Sequence, residues 1–418
     1  MISKLARLSL WHRKGTVLMT LLSLTISIML LLGIDHLRLE AKRSFTSTVS
    51  GTDLIVGARS GQLNLLLYSV FRLGNATNNI SWQHYQTIKA HRQVAWAIPL
   101  ALGDSHRGFR VIGTTADYFR HFRYGQQQPL AFASGQAFAG VYQAVLGAAV
   151  AEKLGYQPGS EIILSHGVGA VSFSQHKDQP FTVVGILQPT GTPVDQSVHV
   201  SLEGIEAIHL GWQGTAPRPG QSPKLSEAEL SALQPTQITA FMLGLKSKVA
   251  TFALQRQIND FKAEPLTAIL PGAALAELWQ MLSMVENLLL IITLLVLIAA
   301  LVGMITTLLA AMKERQREMA ILRAVGARPA QLFWLIELEV ALITLGSMLL
   351  AFALLCLTLW ALQPVLSNQY GLVISVLPWH AHTAALLAGL AGLALLLGAI
   401  PSYLTYRQSL AQGLTVRL

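Results

Sequence analysis

Residues 287–312 read NLLLIITLLVLIAALVGMITTLLAAM, and residues 313–327, which follow directly, read KERQREMAILRAVGA. The first stretch has 26 residues without a charge, and a membrane-spanning helix needs about 20 predominantly apolar residues. The second stretch is dense in charges of both signs and stops at a glycine. The junction therefore predicts a membrane helix that runs into a polar helix, which is suited to bind a soluble partner.

The composition of the whole chain is typical of a membrane protein. Charged residues make up 12% of the 418 residues, against about 25% in soluble proteins. The net charge of +9 is most marked in short stretches beside apolar segments, which indicates a membrane protein and not a nucleic-acid-binding one. Cys356 is the single cysteine, so an intrachain disulfide is excluded.

Four segments are long and apolar enough to span a bilayer. From Val340 to Tyr406 the chain has no Asp, Glu, Lys or Arg, and a charge at a helix centre costs roughly 2.5–3.5 kcal/mol on insertion scales. The first apolar segment begins at Gly15 and is predicted to be a retained helix, because no clear cleavage site for a signal peptidase follows it.

Positive charge predicts the orientation. Lys and Arg precede the first span, fill the connection between the second and third, and follow the fourth, whereas the connection between the third and fourth has none. The positive-inside rule then places both termini in the cytoplasm. In a bacterium the outer side is the periplasm, and the expected location is then the inner membrane. The predicted segments are a cytoplasmic interfacial helix or basic flank at 1–14, transmembrane helix 1 at 15–35, a periplasmic domain at 36–273, a stalk and transmembrane helix 2 at 274–312, a cytoplasmic coupling elbow at 313–339, transmembrane helix 3 at 340–362, a periplasmic loop at 363–382, transmembrane helix 4 at 383–400 and a cytoplasmic tail at 401–418.

The predicted periplasmic domain alternates short β-rich runs with helical patterns, punctuated by Gly and Pro. This mixture predicts an α+β domain inserted between the first two of four transmembrane helices. The β-rich runs are 54–56, 109–112, 161–164, 181–187 and 197–200, and the helical patterns are 82–91, 148–154, 202–209 and 250–261.

The charged stretch is predicted to form a helix, a stop and a restart. Apolar residues at helical spacing upstream of the second span predict one helix from about Ala274 to Val325, roughly 78 Å long at 1.5 Å per residue. Gly326 lies where a left-handed residue ends a helix. Pro329 fits the first turn of the next helix, where its missing N–H has no cost.

Sequence motifs for catalysis are missing. No Gly-Lys dipeptide occurs, so a phosphate-binding loop of the form G-x-x-x-x-G-K-[ST] is absent. The nucleophile motif G-x-S-x-G and the zinc motif H-E-x-x-H are also absent. We therefore expect a non-catalytic subunit that binds no cofactor directly. For Glu286, Glu337 and Glu339, which flank the spans, ion pairing at the interface is the favoured role over proton relay.

Residues 314–327 resemble the E-R-x-R-E-x-x-x-L-R-A-x-G-A signature of the MacB/FtsX superfamily, the mechanotransmission (type VII) class of ABC transporter permeases. The stretches 111–114, 145–155 and 183–187, with Asp195 after them, resemble the periplasmic core of that family, and Pro401 to Arg407 resembles its ending.

The resemblance implies a permease dimer, most simply a homodimer, with two cytoplasmic ABC ATPase subunits that bind ATP and Mg²⁺. It also implies a periplasmic partner protein and contact with membrane lipids. The substrate would be a lipoprotein, peptide or hydrophobic compound in the periplasm or membrane. The residues implied to couple to the ATPase are Glu314, Arg315, Arg317, Glu318, Leu322, Arg323, Gly326, Ala327 and Pro329.

Two other functions fit the sequence. One is an FtsX-like signalling scaffold whose outer domain activates a periplasmic hydrolase. The other is zinc-linked transport, because eleven of the twelve histidines face outward in the predicted topology. A zinc site needs three or four converging ligands, and no tight ligand cluster is visible in the sequence, so surface or core histidines are the favoured interpretation and no metal ligand is predicted.

Overall fold

The computed structural model describes residues 2–167, 179–210, 212–213, 216–217, 226–314, 316–370 and 374–411. The chain divides into two compact units. We call the first the membrane unit; it comprises residues 1–40, 283–363 and 374–418. The second, the inserted domain, comprises residues 41–282 and 364–373.

Four of the described helices are long and apolar enough to cross a membrane. They contain the candidate spans Lys14–Thr46, Pro271–Glu314, Pro329–Leu366 and His382–Arg407. The described helices, in chain order, are α1 (Ile2–His12), α2 (Lys14–Thr48), α3 (Gln62–Ser69), α4 (Trp82–Lys89), α5 (Asp117–His121), α6 (Ala148–Leu154), α7 (Leu202–His209), α8 (Glu227–Ser231), α9 (Thr251–Asn259), α10 (Pro271–Glu314), α11 (Gln316–Ala324), α12 (Pro329–Tyr370) and α13 (Ala381–Ala411).

One large mixed sheet forms the frame of the inserted domain. Its strand order is β17-β1-β16-β3-β4-β12-β8-β11-β7, with β10 added at β3 and β9 at β11; the pairs β4–β12 and β8–β11 are parallel. The described strands are β1 (Leu54–Ala58), β2 (Ile80–Ser81), β3 (Val94–His106), β4 (Phe109–Thr114), β5 (Arg123–Tyr124), β6 (Gln128–Pro129), β7 (Phe132–Gly135), β8 (Gln143–Leu146), β9 (Glu161–Ile162), β10 (Ser165–His166), β11 (Phe181–Leu187), β12 (Ser197–Ser201), β13 (Trp212–Gln213), β14 (Ala216–Pro217), β15 (Gln237–Ile238), β16 (Ala240–Leu245) and β17 (Leu266–Ile269).

The sheet is apolar on both faces near β1, because helices cover it from both sides. Side chains alternate between the faces of a strand. Leu54 and Val56 therefore pack in one core with α4 and α9, whereas Ile55 packs in a second core with α3. A strand that is buried on both faces is a continuous apolar run, which explains why all five residues of β1 are buried.

The fold class predicted from the sequence is confirmed: an α+β domain lies in the chain between the first two of four membrane helices. The β-rich runs at 54–56, 109–112, 181–187 and 197–200 are β1, β4, β11 and β12, and all four predicted helices exist. The run at 161–164 is a strand only at Glu161–Ile162. Strands β3, β8 and β16, which complete the centre of the sheet, were not predicted.

The two prolines near the ends of the last membrane helices do not stop them. Helix α12 runs through Pro364 to Tyr370, and α13 runs through Pro401 to Ala411, although the sequence was interpreted as a loop from 363 and a tail from 401. Proline removes one helical hydrogen bond, which for Pro401 is the bond to the Leu397 carbonyl, and membrane helices tolerate such a loss. In the same turns, the Ser402 hydroxyl donates to the Gly398 carbonyl at 2.9 Å, and the Thr405 hydroxyl donates to the Pro401 carbonyl at 2.9 Å.

Helix α10 is 44 residues long, about 66 Å at 1.5 Å per residue. In the inserted domain, Ala274 and Leu275 near its start are buried in the core that contains α3. In the membrane unit, Leu301, Met304 and Leu308 are buried. The prediction that this helix is unbroken as far as Val325 depends on Arg315, which lies outside the described residues.

Candidate functional site

The site predicted from the sequence is the elbow, residues 313–339, which contains the turn between α11 and α12. Gly326 has φ of +101°. Its N–H donates to the Arg323 carbonyl at 2.9 Å, and the Ala327 N–H donates to the Leu322 carbonyl at 3.0 Å. These two bonds form a Schellman motif, which requires a left-handed residue at the position of Gly326. The prediction that α11 ends at a left-handed glycine is confirmed.

The next helix starts within three residues. Pro329 is the first residue of α12, as predicted. The Arg328 N–H donates to the Gln331 side chain at 2.8 Å, and the Gln331 N–H donates to the Arg328 carbonyl at 2.9 Å. Both bonds hold the start of α12, so the chain direction is fixed on each side of Gly326.

The elbow exposes apolar side chains beside charged ones. Ile321 and Val325 are 63% and 83% exposed. The predicted coupling residues Glu314 and Gly326 are exposed, and Leu322, Arg323, Ala327 and Pro329 are half-buried. Arg315 lies outside the described residues, and the side chains of Arg317 and Glu318 do as well; their predicted coupling role stays a prediction.

The N-terminal helix α1 packs against the elbow, a contact that was not predicted. Ala6 is wholly buried against Met319, Leu332 and Leu335. The small side chain of Ala6 permits this close approach. Leu8 and Trp11 of α1 remain exposed, as expected of an amphipathic helix at a membrane interface. In the sequence, a small residue, Ala6, lies on the face of α1 opposite Leu8 and Trp11. This alanine could have indicated that another helix packs there.

A buried ion pair fixes the same helix to α12. Arg13 lies 2.9 Å from Glu339, whose side chain is almost completely buried, and the Ser9 hydroxyl donates to the other carboxylate oxygen at 2.5 Å. Breaking a buried ion pair by removing one partner costs about 3–5 kcal/mol. Glu339 therefore holds α1 against the first turns of α12. The pairing predicted for Glu339 is confirmed.

Ionic contacts also join the helices near the C-terminal end of the first span. Arg38 on α2 lies 2.7 Å from Glu286 on α10, so the pairing predicted for Glu286 is confirmed. Glu337 makes no ion pair with the described residues, so its predicted pairing is not found there.

The buried Asp35 accepts from His382 at 3.1 Å, and His380 lies 3.9 Å from Glu40.

These histidines pair with carboxylates and do not converge on one point. Across the described residues, no group of three or more His, Cys, Asp or Glu side chains could hold a metal ion.

Two family models match the chain. The model of the MacB-like periplasmic core domain matches residues 17–261, which is more than half of the 418 residues. The model of the FtsX-like permease C-terminal region matches residues 290–410, which contain the elbow. The chain belongs to the MacB/FtsX-type ABC permeases. The family resemblance seen in residues 314–327 is therefore confirmed.

Two solved structures are also similar. The periplasmic region of MacB from Actinobacillus actinomycetemcomitans shares 10% identity over 54% of this chain and 92% of that one, with a TM-score of 0.34. The extracellular domain of the noncanonic ABC-type transporter YknZ from Gram-positive bacteria shares 14% identity over 52% of this chain and 99% of that one, with a TM-score of 0.31. The chain matches none of the curated proteins with which it was compared. The family assignment rests on the two family models.

Membership in this permease family defines the general role of the chain. It is a multi-pass membrane protein of the ABC-permease type with a MacB-like periplasmic core domain. The elbow lies in the part of the chain that matches the FtsX-like permease model.

Proposed function

We propose that this permease transmits the motion of cytoplasmic ABC ATPase subunits across the inner membrane to its inserted domain. That domain would act on a periplasmic or membrane-embedded substrate such as a lipoprotein, a peptide or a hydrophobic compound. The observation that carries the proposal is the elbow: a turn of fixed geometry that exposes apolar side chains between charged ones.

The exposed surface of the elbow is suited to a protein partner. Val325 directly follows α11, and its N–H donates to the Ile321 carbonyl at 3.0 Å, so the two residues, four apart, lie on the same side. Both are largely exposed, and apolar side chains exposed together mark interaction sites. The exposed Lys313, Glu314 and Arg328 supply a charged rim, which is the usual composition around the apolar centre of an interface.

Several contacts brace the elbow so that force on it reaches the membrane helices. The Schellman bonds at Gly326 fix the turn, the core around Met319 joins α11 to α12 and α1, and the Arg13–Glu339 ion pair anchors α1. Movement of an ATPase bound at Val325 would therefore displace α12 and α1 together with α11.

Helix α10 ends in the elbow at Glu314 and contacts two other helices of the membrane unit. The Thr405 hydroxyl oxygen on α13 lies 3.3 Å from the sulfur of Met312 on α10, and the hydroxyls of Thr20 and Thr307 join α2 to α10 at 3.3 Å. At about 66 Å, α10 is longer than the roughly 30 Å of hydrocarbon in a bilayer. A helix of this length can carry displacement beyond the membrane.

The proposal includes the remaining subunits and the location. Two ATPase subunits would bind ATP and Mg²⁺, and two copies of this chain would form the permease. Both termini and the elbow would lie in the cytoplasm, because the positively charged residues cluster on that side of the spans.

The test uses the full-length permease reconstituted with its ABC ATPase subunits. Val325→Asp places a charge in the apolar contact, Gly326→Pro cannot adopt the left-handed turn, and Arg317→Glu with Arg323→Glu reverses two charges. We expect each variant to bind the ATPase at least tenfold more weakly, or to lose stimulation of ATP hydrolysis.

The matched control is Val249→Asp, because Val249 is 90% exposed in the inserted domain. It should bind and stimulate the ATPase as the unmodified protein does. Unchanged binding and stimulation in all three elbow variants would show that the ATPase docks elsewhere.

A further inference from the structure

The inserted domain contains a polar cavity that the proposed coupling function does not use. Its volume is about 270 Å³, and it lies between the segment after α3 and the β3–β4 hairpin. Tyr68, Arg72, Asn75, Asn79 and Arg110 contribute side chains to its wall. A cavity of this size is slightly smaller than the usual site for a drug-sized ligand, so it suits a small molecule or a head group.

Two guanidinium groups face this cavity without a carboxylate. No Asp or Glu is among the described residues that line it, and neither Arg72 nor Arg110 makes an ion pair within the part of the chain that the structure describes. Arg110 donates to the Asn75 side chain at 3.1 Å and to the Gly74 carbonyl at 2.8 Å. These neutral acceptors orient the Arg110 side chain and leave its charge uncompensated.

The side chain of Arg72 has the more unusual environment of the two arginines. One terminal nitrogen donates to the Ser69 carbonyl, but its Nε is enclosed and has no hydrogen-bond partner among the described residues. Burial lowers the pKa of Arg72, the neighbouring Tyr118 hydroxyl opposes this shift, and the charge of Arg110 adds to it. A buried cation beside a like charge is costly unless an anion accompanies it.

The backbone at Arg72 is strained as well. Its φ is +61°, in the left-handed region that a non-glycine residue enters at a cost of about 1–2 kcal/mol. Glycine would adopt this conformation without strain, yet the chain has a residue whose guanidinium reaches the cavity. Backbone strain of this kind clusters at ligand sites.

We propose that this cavity binds a small oxyanion, a phosphate or carboxylate group, between Arg72 and Arg110. The planar guanidinium group matches the geometry of both anions. Asn75 and Asn79 add neutral polar groups to the same wall. The anion neutralises the two cations that line the cavity. The inserted domain thereby has a ligand site of its own, independent of the ATPase.

The experiment titrates the full-length permease in detergent, without ATPase, with sodium phosphate and separately with sodium acetate. Sodium chloride at the same ionic strength is the reference, so that screening is equal. We expect a saturable rise in the thermal unfolding midpoint with phosphate, with acetate or with both. The anion that causes the rise shows whether the site binds a phosphate group, a carboxylate group or either. Calorimetric titration of that anion gives the dissociation constant.

Arg110→Gln is the decisive variant, because Arg110 is the more accessible of the two and its loss leaves the backbone turn at Arg72 intact. We expect it to weaken anion binding at least tenfold while the protein stays folded in chloride. Arg256→Gln is the matched control, because the Arg256 side chain is 87% exposed on α9; it should bind as tightly as the unmodified protein.

Two results would overturn the proposal. One is the absence of a saturable effect of either anion beyond that of chloride. The other is an effect that Arg110→Gln leaves unchanged. Because no ATPase is present, neither result bears on the elbow, so this proposal and the proposed coupling function can fail separately.

Discussion

Gly326 and Pro329 are the residues whose local roles the sequence predicts most directly. Glycine at a helix end and proline in the first turn of the next helix follow from backbone sterics alone, and the structure has both. Glu339 is different. Its pairing at the membrane edge could be expected, but its partner Arg13 is 326 residues away in the chain, and spacing in the sequence contains no information about such a contact.

His199 is a buried titratable residue in the inserted domain. It lies on β12, wholly buried beside Tyr118 and Phe119. Burial, with a smaller contribution from the Arg72 charge, lowers its pKa from 6.5 to about 3. The unfolded chain therefore binds a proton between pH 6.5 and about 3 that the folded chain does not. Stability is full above pH 6.5 and falls as the pH falls through this range.

We therefore expect His199 to reduce the free energy of unfolding by about 2 kcal/mol between pH 7 and pH 5. His199→Phe keeps an aromatic ring without a titrating group, so its unfolding should depend less on pH by that amount. Urea unfolding of the full-length protein in detergent at both pH values measures this. His12→Gln, at an exposed histidine, should have the same pH dependence of unfolding as the unmodified protein. If His199→Phe also has the same pH dependence as the unmodified protein, the assignment is contradicted.

At the scale of elements, helix packing in the membrane unit depends on close approach at Gly398 of α13. A Cβ added there would lie 2.8 Å from a methyl group of Val340 on α12. Overpacking of this kind costs about 1–3 kcal/mol. Small residues at such crossings allow membrane helices to pack closely.

We expect Gly398→Leu to lower the thermal unfolding midpoint of the detergent-solubilised protein, because leucine forces α13 away from α12. Gly389→Leu on the same helix is the control, since a Cβ there meets no atom within 4 Å. It should be neutral or slightly stabilising, because leucine favours the helix over glycine. Equal midpoints for the two variants would show that the crossing at Gly398 is not tightly packed.

Some helices and strands could be predicted from the sequence better than others. Membrane helices are recognised by their long uncharged apolar stretches. Amphipathic patterns such as 202–209 are recognised by their periodicity, and α7 has the bounds expected. Helices α12 and α13 continue past the prolines near which the predicted spans end, because a membrane helix tolerates proline. Central strands such as β3 and β16 are buried on both faces and lack an alternating pattern, so periodicity does not separate them from buried helices.

At the scale of the whole molecule, sequence and structure agree on the architecture of the family. Four membrane helices and an inserted α+β domain follow from hydropathy and turn residues. The elbow could be located from its charge pattern and glycine. The packing of α1 against it and the cavity at Arg72 could not, because both depend on residues that are distant in the chain and meet only in the fold.

The central claim is that the elbow passes ATPase motion to the inserted domain. Its most direct test is the distance between spin labels on the inserted domains of two permease copies in the reconstituted complex. The label is attached at Val249→Cys, which is highly exposed, after Cys356→Ser removes the native thiol. We predict that trapping the ATPase with ATP and vanadate changes this distance in the otherwise unmodified protein and leaves it unchanged in Gly326→Pro. An equal change in both proteins would contradict the claim.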